Sequence, residues 1–318
     1  MGKRKTHIRI SRICNALCIL ILACGCKTVR QVGEKFDSTD YQKKDFQKKE
    51  IVFIYKMNIC HYCINLLGTL KRLSYFFWKQ DCIPRTNSYT VDKNDKPRTI
   101  VSFNIQGLFL FMNEAKCKKL LDTIETLDQD VLCLQEVFED KLKKNIIERV
   151  SKKYPYYLLG NQTKKLGVGE DSGLLVLSKY KLKYKHEIIL KDSVIPDCLS
   201  NKSILYFSVG DIDMSTTHLQ SSNMLSAEVI AEKQLKLICD KSPFDSFIIT
   251  GDLNINDAES ILNVKQTNEK PTWNEDRLDY ILLKGYNDYE IKTSVLSIDI
   301  ENVSDHYPLE GQIKEKFK

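Results

Sequence analysis

The sequence has no uninterrupted apolar run of the roughly 20 residues that a comfortable membrane-spanning helix requires. Its early apolar stretch, ICNALCILILACGC at 13–26, holds only about a dozen mostly apolar positions. It has no second CxxC and no HxxxH at finger spacing to complete Cys60-His61-Tyr62-Cys63, which argues against zinc. The eleven cysteines are an odd number and seven fall before residue 83, a poor disulfide framework. Cys133 in a strand pattern and Cys239 on a helix read instead as small buried hydrophobes. A basic footprint is also missing where duplex nucleic acid would need it. Residues 97–318 hold 29 Lys and Arg against 34 Asp and Glu, so the formal +6 comes from the N-terminal third.

That N-terminal third begins MGKRKTHIRISR, a basic segment running into the apolar 13–26. The order fits a signal peptide or signal anchor over residues 1–26. ILACGC resembles a loose lipoprotein box with Cys24 as the lipidated residue, and the first six residues formally fit myristoylation at Gly2. The alternative is a packed or interfacial helix of a cytoplasmic protein. A second apolar stretch, 51–78, is interrupted by Lys56, Lys71 and Arg72 and suits a membrane interface better than a span. We therefore expect membrane association through residues 1–80, with the chain membrane-bound or secreted. Residues 27–96 form an extension of unassigned role, ending in the polar linker DKNDKPRT.

From residue 97 to 318 short apolar strands each stop at a polar residue. TIVSF ends at Asn104, DVLCLQ at Glu136, DMSTT at His218 and FIIT at Gly251-Asp252, with Asn254 just beyond. Asp279 lies in LDYILL, and Ser304-Asp305-His306 precedes YPLEGQI. Helical periodicity appears at 113–127, where Leu120, Leu121, Ile124 and Leu127 share a face, and at 223–240. Strands apolar throughout suit sheets buried on both sides. The expected fold is α/β, a two-layer β-sandwich flanked by helices, with an N-terminal hydrophobic extension. Any one of these polar residues alone reads as a turn or a satisfied core group. Together they mark one end of the sandwich as a site.

The ordered pieces SFNIQG, LCLQEV, SGLLVLSK, TTHLQ, TGDLNIN, RLDYILL and SDH, between residues 102 and 306, resemble the endonuclease/exonuclease/phosphatase superfamily related to DNase I. The resemblance implies a four-layer α/β sandwich and a magnesium-dependent phosphodiesterase, with manganese as a substitute. Phosphodiester hydrolysis needs charge on the phosphoryl oxygens, a base for water and help for the leaving oxygen. Magnesium is content with one or two carboxylates and its waters. Glu136 is the natural ligand, with Asn104 beside it and Asp305 near. His306 is the natural general base. The resemblance implies that Asp279 orients its ring. Asp252 would then position water or protonate the leaving group, Asn254 hold a phosphate oxygen, and His218 donate to developing charge.

The substrate is less directly written. Thr217-His218-Leu219-Gln220 and Pro271-Thr272-Trp273-Asn274 resemble stretches of neutral sphingomyelinases, and an acidic domain behind a basic, apolar N-terminus suits a lipid surface. RLDYILL and GDLN are equally similar to abasic-site endonucleases. Against those enzymes, Phe103 stands where they have Trp, and Asn104-Ile105-Gln106-Gly107 replaces an Asn-Gly pair. The long apolar hairpin of some secreted sphingomyelinases is not evident. The reading is a monomer acting on sphingomyelin or a related phospholipid. The alternatives are a nuclease on DNA or RNA, and an inactive binding module of the same fold.

Overall fold

Strands whose alternate residues are apolar on both faces must be covered on both sides, and here they are. The computed structural model describes residues 83–108, 113–165, 169–221, 225–265 and 270–316, which belong to one unit. The expected targeting segment and most of the extension, residues 1–82, lie outside them.

The first half runs β1 (Thr99–Asn104), α1 (Glu114–Thr126), β2 (Val131–Gln135), α2 (Asp140–Val150), β3 (Tyr156–Leu159) and β4 (Leu175–Ser178). The second runs β5 (Leu182–Ile189), β6 (Ser203–Val209), β7 (Ile212–His218), α3 (Leu225–Asp240), β8 (Phe247–Asp252) and α4 (Ala258–Leu262). It closes with β9 (Asp279–Lys284), β10 (Tyr289–Val295) and β11 (Leu309–Glu315). A six-stranded sheet has the order β10-β11-β1-β2-β4-β3, and a five-stranded sheet β5-β6-β7-β8-β9.

Period-2 alternation sends each strand's side chains into two different cores. Ile100 of β1 and Val131 and Cys133 of β2 meet Phe207, Met214 and Ile248 between the sheets. Val101, Phe103, Leu132 and Leu134 turn outward onto Leu120 and Ile124 of α1 and Leu142 and Ile146 of α2. On the far side Tyr206, Ile249 and Leu282 pack on Leu235 and Ile238 of α3. Each fully buried aliphatic side chain contributes about 1.5–3 kcal/mol, so these cores dominate the stability. The layers are helix, sheet, sheet, helix, as expected.

Local signals explain the ends of α1. The side chain of Asn113 accepts from the backbone N–H of Lys116 at 2.9 Å, and an extended Leu127 stops the helix. β5 and β10 are not marked in the sequence, and the reason is physical. β10 alternates half-buried with exposed residues, and both are edge strands with charged faces, so they lack a continuous apolar run.

Candidate active site

Cross-strand register builds one wall of the site. β7 and β8 are parallel with His218 opposite Asp252, and β8 and β9 antiparallel with Asp252 opposite Asp279. His218, Asp252 and Asp279 therefore stand side by side across three adjacent strands. Gly251 makes this pairing possible. Its φ is +137°, and a Cβ there would lie 2.0 Å from the carbonyl oxygen of Thr217.

The other wall comes from the six-stranded sheet. Asn104 pairs with Gln135, which places Glu136 one residue past the end of β2. Glu136 adopts a left-handed φ of 59°, an uncommon conformation for a non-glycine residue and one that clusters at functional sites. The amide nitrogen of Asn104 joins the walls, donating to Glu136 Oε1 at 2.9 Å and to Asp252 Oδ2 at 3.0 Å. Its oxygen accepts from the Gln106 backbone N–H, so as held here Asn104 turns nitrogen, not oxygen, towards the two carboxylates.

His306 arrives from the loop before β11. The Ser304 hydroxyl donates to the Asn104 carbonyl at 2.6 Å and accepts from the His306 N–H, which ties this loop to β1. The His306 ring lies between two carboxylates, Nδ1 at 2.7 Å from Asp279 Oδ2 and Nε2 at 3.7 Å from Asp252 Oδ2. His218 Nε2 is 3.6 Å from that same Asp252 oxygen. Asn254, with a left-handed φ of 53°, donates one amide N–H to Leu219 O. Asp305 is exposed and accepts from the indole Nε1 of Trp273 at 3.2 Å.

Burial sets the electrostatics. It opposes charge on His306, but Asp279 and Asp252 outweigh it and raise that imidazole to about 10. Burial, aided by Lys202 and His306, holds His218 well below the ordinary histidine value, so His218 is neutral. Burial pushes Asp252 up to about 7, with Asp279 adding and His306 and Asn104 opposing. One site thus contains a cationic and a neutral histidine.

Two places invite a cation. Ligand atoms of Asp252, Asp279 and His306 lie within 4.8 Å of one another, but Asp279 Oδ2 is already spent on His306. Glu136 fits better. Its Oε2 is buried without a hydrogen-bond partner, and burial raises its carboxyl while Asn104, Lys202 and His306 pull it down. A hard cation would satisfy the orphaned oxygen, and a carboxylate with few other protein ligands suits magnesium.

Two lysines near the centre went unmarked in the sequence. Lys202 is buried, paired with Asp197 at 2.6 Å, and donates to Leu219 O. Lys116 is buried beside Gln106, close enough to feel Asp305 and Glu136, in the lining of a cleft of about 560 Å³. Neither follows an apolar periodicity, so no sequence signal marks it.

The sequence matches the Endonuclease/Exonuclease/phosphatase family over residues 101–306. Sphingomyelinase C of Bacillus cereus is 28% identical over 160 residues, covering 41% of this chain and 46% of that protein. Phospholipase C of Staphylococcus aureus is 27% identical over 199 residues, covering 52% and 59%. The chain thus spans about half the length of the curated relatives it matches. A beta toxin variant of Staphylococcus aureus with bound magnesium ions superimposes with a TM-score of 0.58 at 20% identity, covering 69% of this chain and 100% of that one. An endonuclease/exonuclease/phosphatase from Beutenbergia cavernae gives 0.55 at 16%, covering 70% and 72%. These structures share the fold, and the sequence match extends through the segments that hold Asn104, Glu136, His218, Asp252, Asp279 and His306. The chain belongs to the endonuclease/exonuclease/phosphatase family.

Proposed function

We propose that this chain is a metal-dependent phosphodiesterase that hydrolyses sphingomyelin or a related phospholipid. The observation that carries the reading is the continuous line Asp279–His306–Asp252–Asn104–Glu136. It runs from a carboxylate-held imidazole to a buried carboxylate with an open oxygen.

Glu136 would hold magnesium, or manganese in its place, with Asp305 near enough to add its charge, while Asn104, its amide nitrogen turned to Glu136 and Asp252, orients the carboxylates. When bound, the metal supplies positive charge against the phosphoryl oxygens. The rest falls to side chains. His306, once deprotonated at Nε2, takes a proton from the attacking water. Asp279 keeps the other ring nitrogen protonated and stabilises the imidazolium that forms. The water oxygen bonds to phosphorus as the bond to the leaving oxygen breaks. Asp252, whose carboxyl pKa is raised by burial, positions that water or returns a proton to the leaving oxygen. His218 and the second amide N–H of Asn254 donate to the charge gathering on the phosphoryl oxygens.

The lipid preference rests on the two relatives, named for sphingomyelin and phospholipid cleavage, and on the Thr217–Gln220 and Pro271–Asn274 stretches. In the same reading the chain acts as a monomer and residues 1–80 bring it to the lipid surface. The test uses the full chain with magnesium and an EDTA control. It compares phosphocholine release from sphingomyelin vesicles with nicking of abasic and intact DNA. EDTA-sensitive phosphocholine release without nicking supports the proposal; nicking without lipid turnover replaces it with a nuclease.

A further inference from the structure

Gln106 has a left-handed φ of 48°, a conformation that a residue other than glycine keeps only where its surroundings hold it. Its N–H donates to Asn104 Oδ1 at 3.0 Å, so the nitrogen of the Asn104 amide is the end that faces Glu136 and Asp252. Gly107 lets the same turn lie against Glu136. A Cβ on Gly107 would be 2.5 Å from the Glu136 carbonyl oxygen.

Lys116 holds this turn. Helix α1 buries it together with Leu120 and Ile124. Its ammonium donates to both oxygens of Gln106, to the side-chain Oε1 at 2.7 Å and to the carbonyl at 3.2 Å. Burying a lysine is costly, and burial lowers its pKa from the ordinary lysine value while Asp305 and Glu136 favour its charge. Among the described residues, both hydrogen bonds of the ammonium nevertheless go to Gln106 and neither goes to those carboxylates. Hydrogen bonds from a charged donor are the stronger kind, and two from one ammonium fix the backbone and the side chain of Gln106 together. The helix beneath is a firm base. Asn113 caps its first turn, and Leu120 and Ile124 are packed in the core.

We infer that Lys116 is a positioning residue: through Gln106 it sets which end of the Asn104 amide faces Glu136 and Asp252. The two ends of an amide are opposite in character, one a donor and one an acceptor. Turned as it is, the amide donates to both carboxylates and holds them in place. Turned over, it would set its own donor against the Gln106 N–H and its oxygen against two carboxylates. A Gln106 turn held by Lys116 admits only the first orientation. The inference rests on the phosphodiesterase reading and goes beyond it, naming what fixes the two carboxylates that the reading uses.

Two measurements on the full chain test it. The first needs no turnover. Isotopic labelling of asparagine nitrogen alone reports the Asn104 side-chain amide by NMR in the metal-free protein, its resonances identified by their loss in Asn104→Ala. In the wild type these protons are expected downfield of a free amide, held by the two carboxylates, and slow to exchange with solvent. Lys116→Met and Gln106→Gly are each expected to shift them towards the free-amide position and to speed their exchange. The second measures kcat and KM on sphingomyelin in mixed micelles with magnesium. Lys116→Met is expected to lower kcat about 10- to 100-fold with KM little changed. In an Asn104→Ala background the same change is expected to cost nothing further, because the path from Lys116 is already cut. Lys116→Gln replaces Lys116→Met if the methionine variant does not fold.

Asn104 amide resonances unmoved by the Lys116 substitution overturn the inference. So does a wild-type kcat in that variant. So do losses from Lys116→Met and Asn104→Ala that simply multiply, which would make Lys116 a charge acting on its own. If the wild type cleaves no phosphodiester, the catalytic reading fails and the amide resonances still decide the role of Lys116.

Discussion

His306 Nδ1 lies 2.7 Å from Asp279 Oδ2, and Asp279 is itself directly opposite Asp252 on the neighbouring strand. The imidazole is therefore gripped from one side and faced from the other by two carboxylates of one sheet, and their charge raises it to about 10 against the pull of burial. Turnover by His306 as a base should rise as pH climbs through this group's pKa. Asp279→Asn removes one negative charge, so the imidazole becomes easier to deprotonate and the rising limb of kcat moves to lower pH. The same change loosens the ring's orientation, and kcat is expected to fall by about 10²–10⁴. A pH–rate profile of both proteins checks the pair of effects. A limb that stays in place would show that Asp279 does not set the state of His306.

Glu136 Oε2 is buried and unpartnered, so a hard cation should stabilise the folded chain by binding it. Magnesium is expected to raise the melting temperature of the wild type and to leave Glu136→Gln unmoved. Activity should disappear with the same substitution and with EDTA. Equal magnesium shifts in both proteins would place the cation elsewhere.

Lys143 and Asp171 form a buried ion pair, and Lys143 also donates to the carbonyl oxygen of Phe138, two residues beyond Glu136. Gly173 extends the link: its N–H donates to Asp171 and its carbonyl accepts from Val137. Lys143→Met leaves the buried Asp171 with Lys164, at 3.5 Å, as its remaining cation and is expected to cost about 3 kcal/mol, the low end for a broken buried pair. Pairing it with Asp171→Leu should recover much of that loss. Chemical denaturation of the single and double variants measures both. A single variant within 1 kcal/mol of wild type, on the order of an exposed pair, would contradict the buried geometry.

Gly251 leaves no room for a side chain where β8 passes β7. Gly251→Ala is expected to prise His218 away from Asp252 and to lower both melting temperature and activity. A variant as stable and active as wild type would mean that the two strands pair in another register.

Much of this was legible in the sequence. FIITGDLNIN reads as a strand that delivers Asp252 and Asn254 at its end, because an apolar run meets a glycine and then polar residues. That same strand occupies Phe247–Asp252. Register across strands was not legible, since nothing within a strand says which partner residue it faces. The row His218–Asp252–Asp279 joins segments far apart in the chain and appears only in the sheet. Lys143 sits on a charged helix whose lysines all look alike in sequence, yet it is buried and its neighbour Lys144 exposed. The contact of Trp273 with Asp305 is of the same kind, visible once the Tyr307 N–H, donating to Thr272 O, has tied the two loops together.

The most direct measurement compares His306→Ala with the wild-type full chain in steady-state hydrolysis of sphingomyelin at saturating magnesium, with circular dichroism confirming the fold. A loss of at least about 10²–10⁴ in kcat with an unchanged spectrum is expected of a general base. A folded His306→Ala variant that turns over within a few-fold of wild type would contradict the assignment of His306, and with it the line of residues from Asp279 to Glu136.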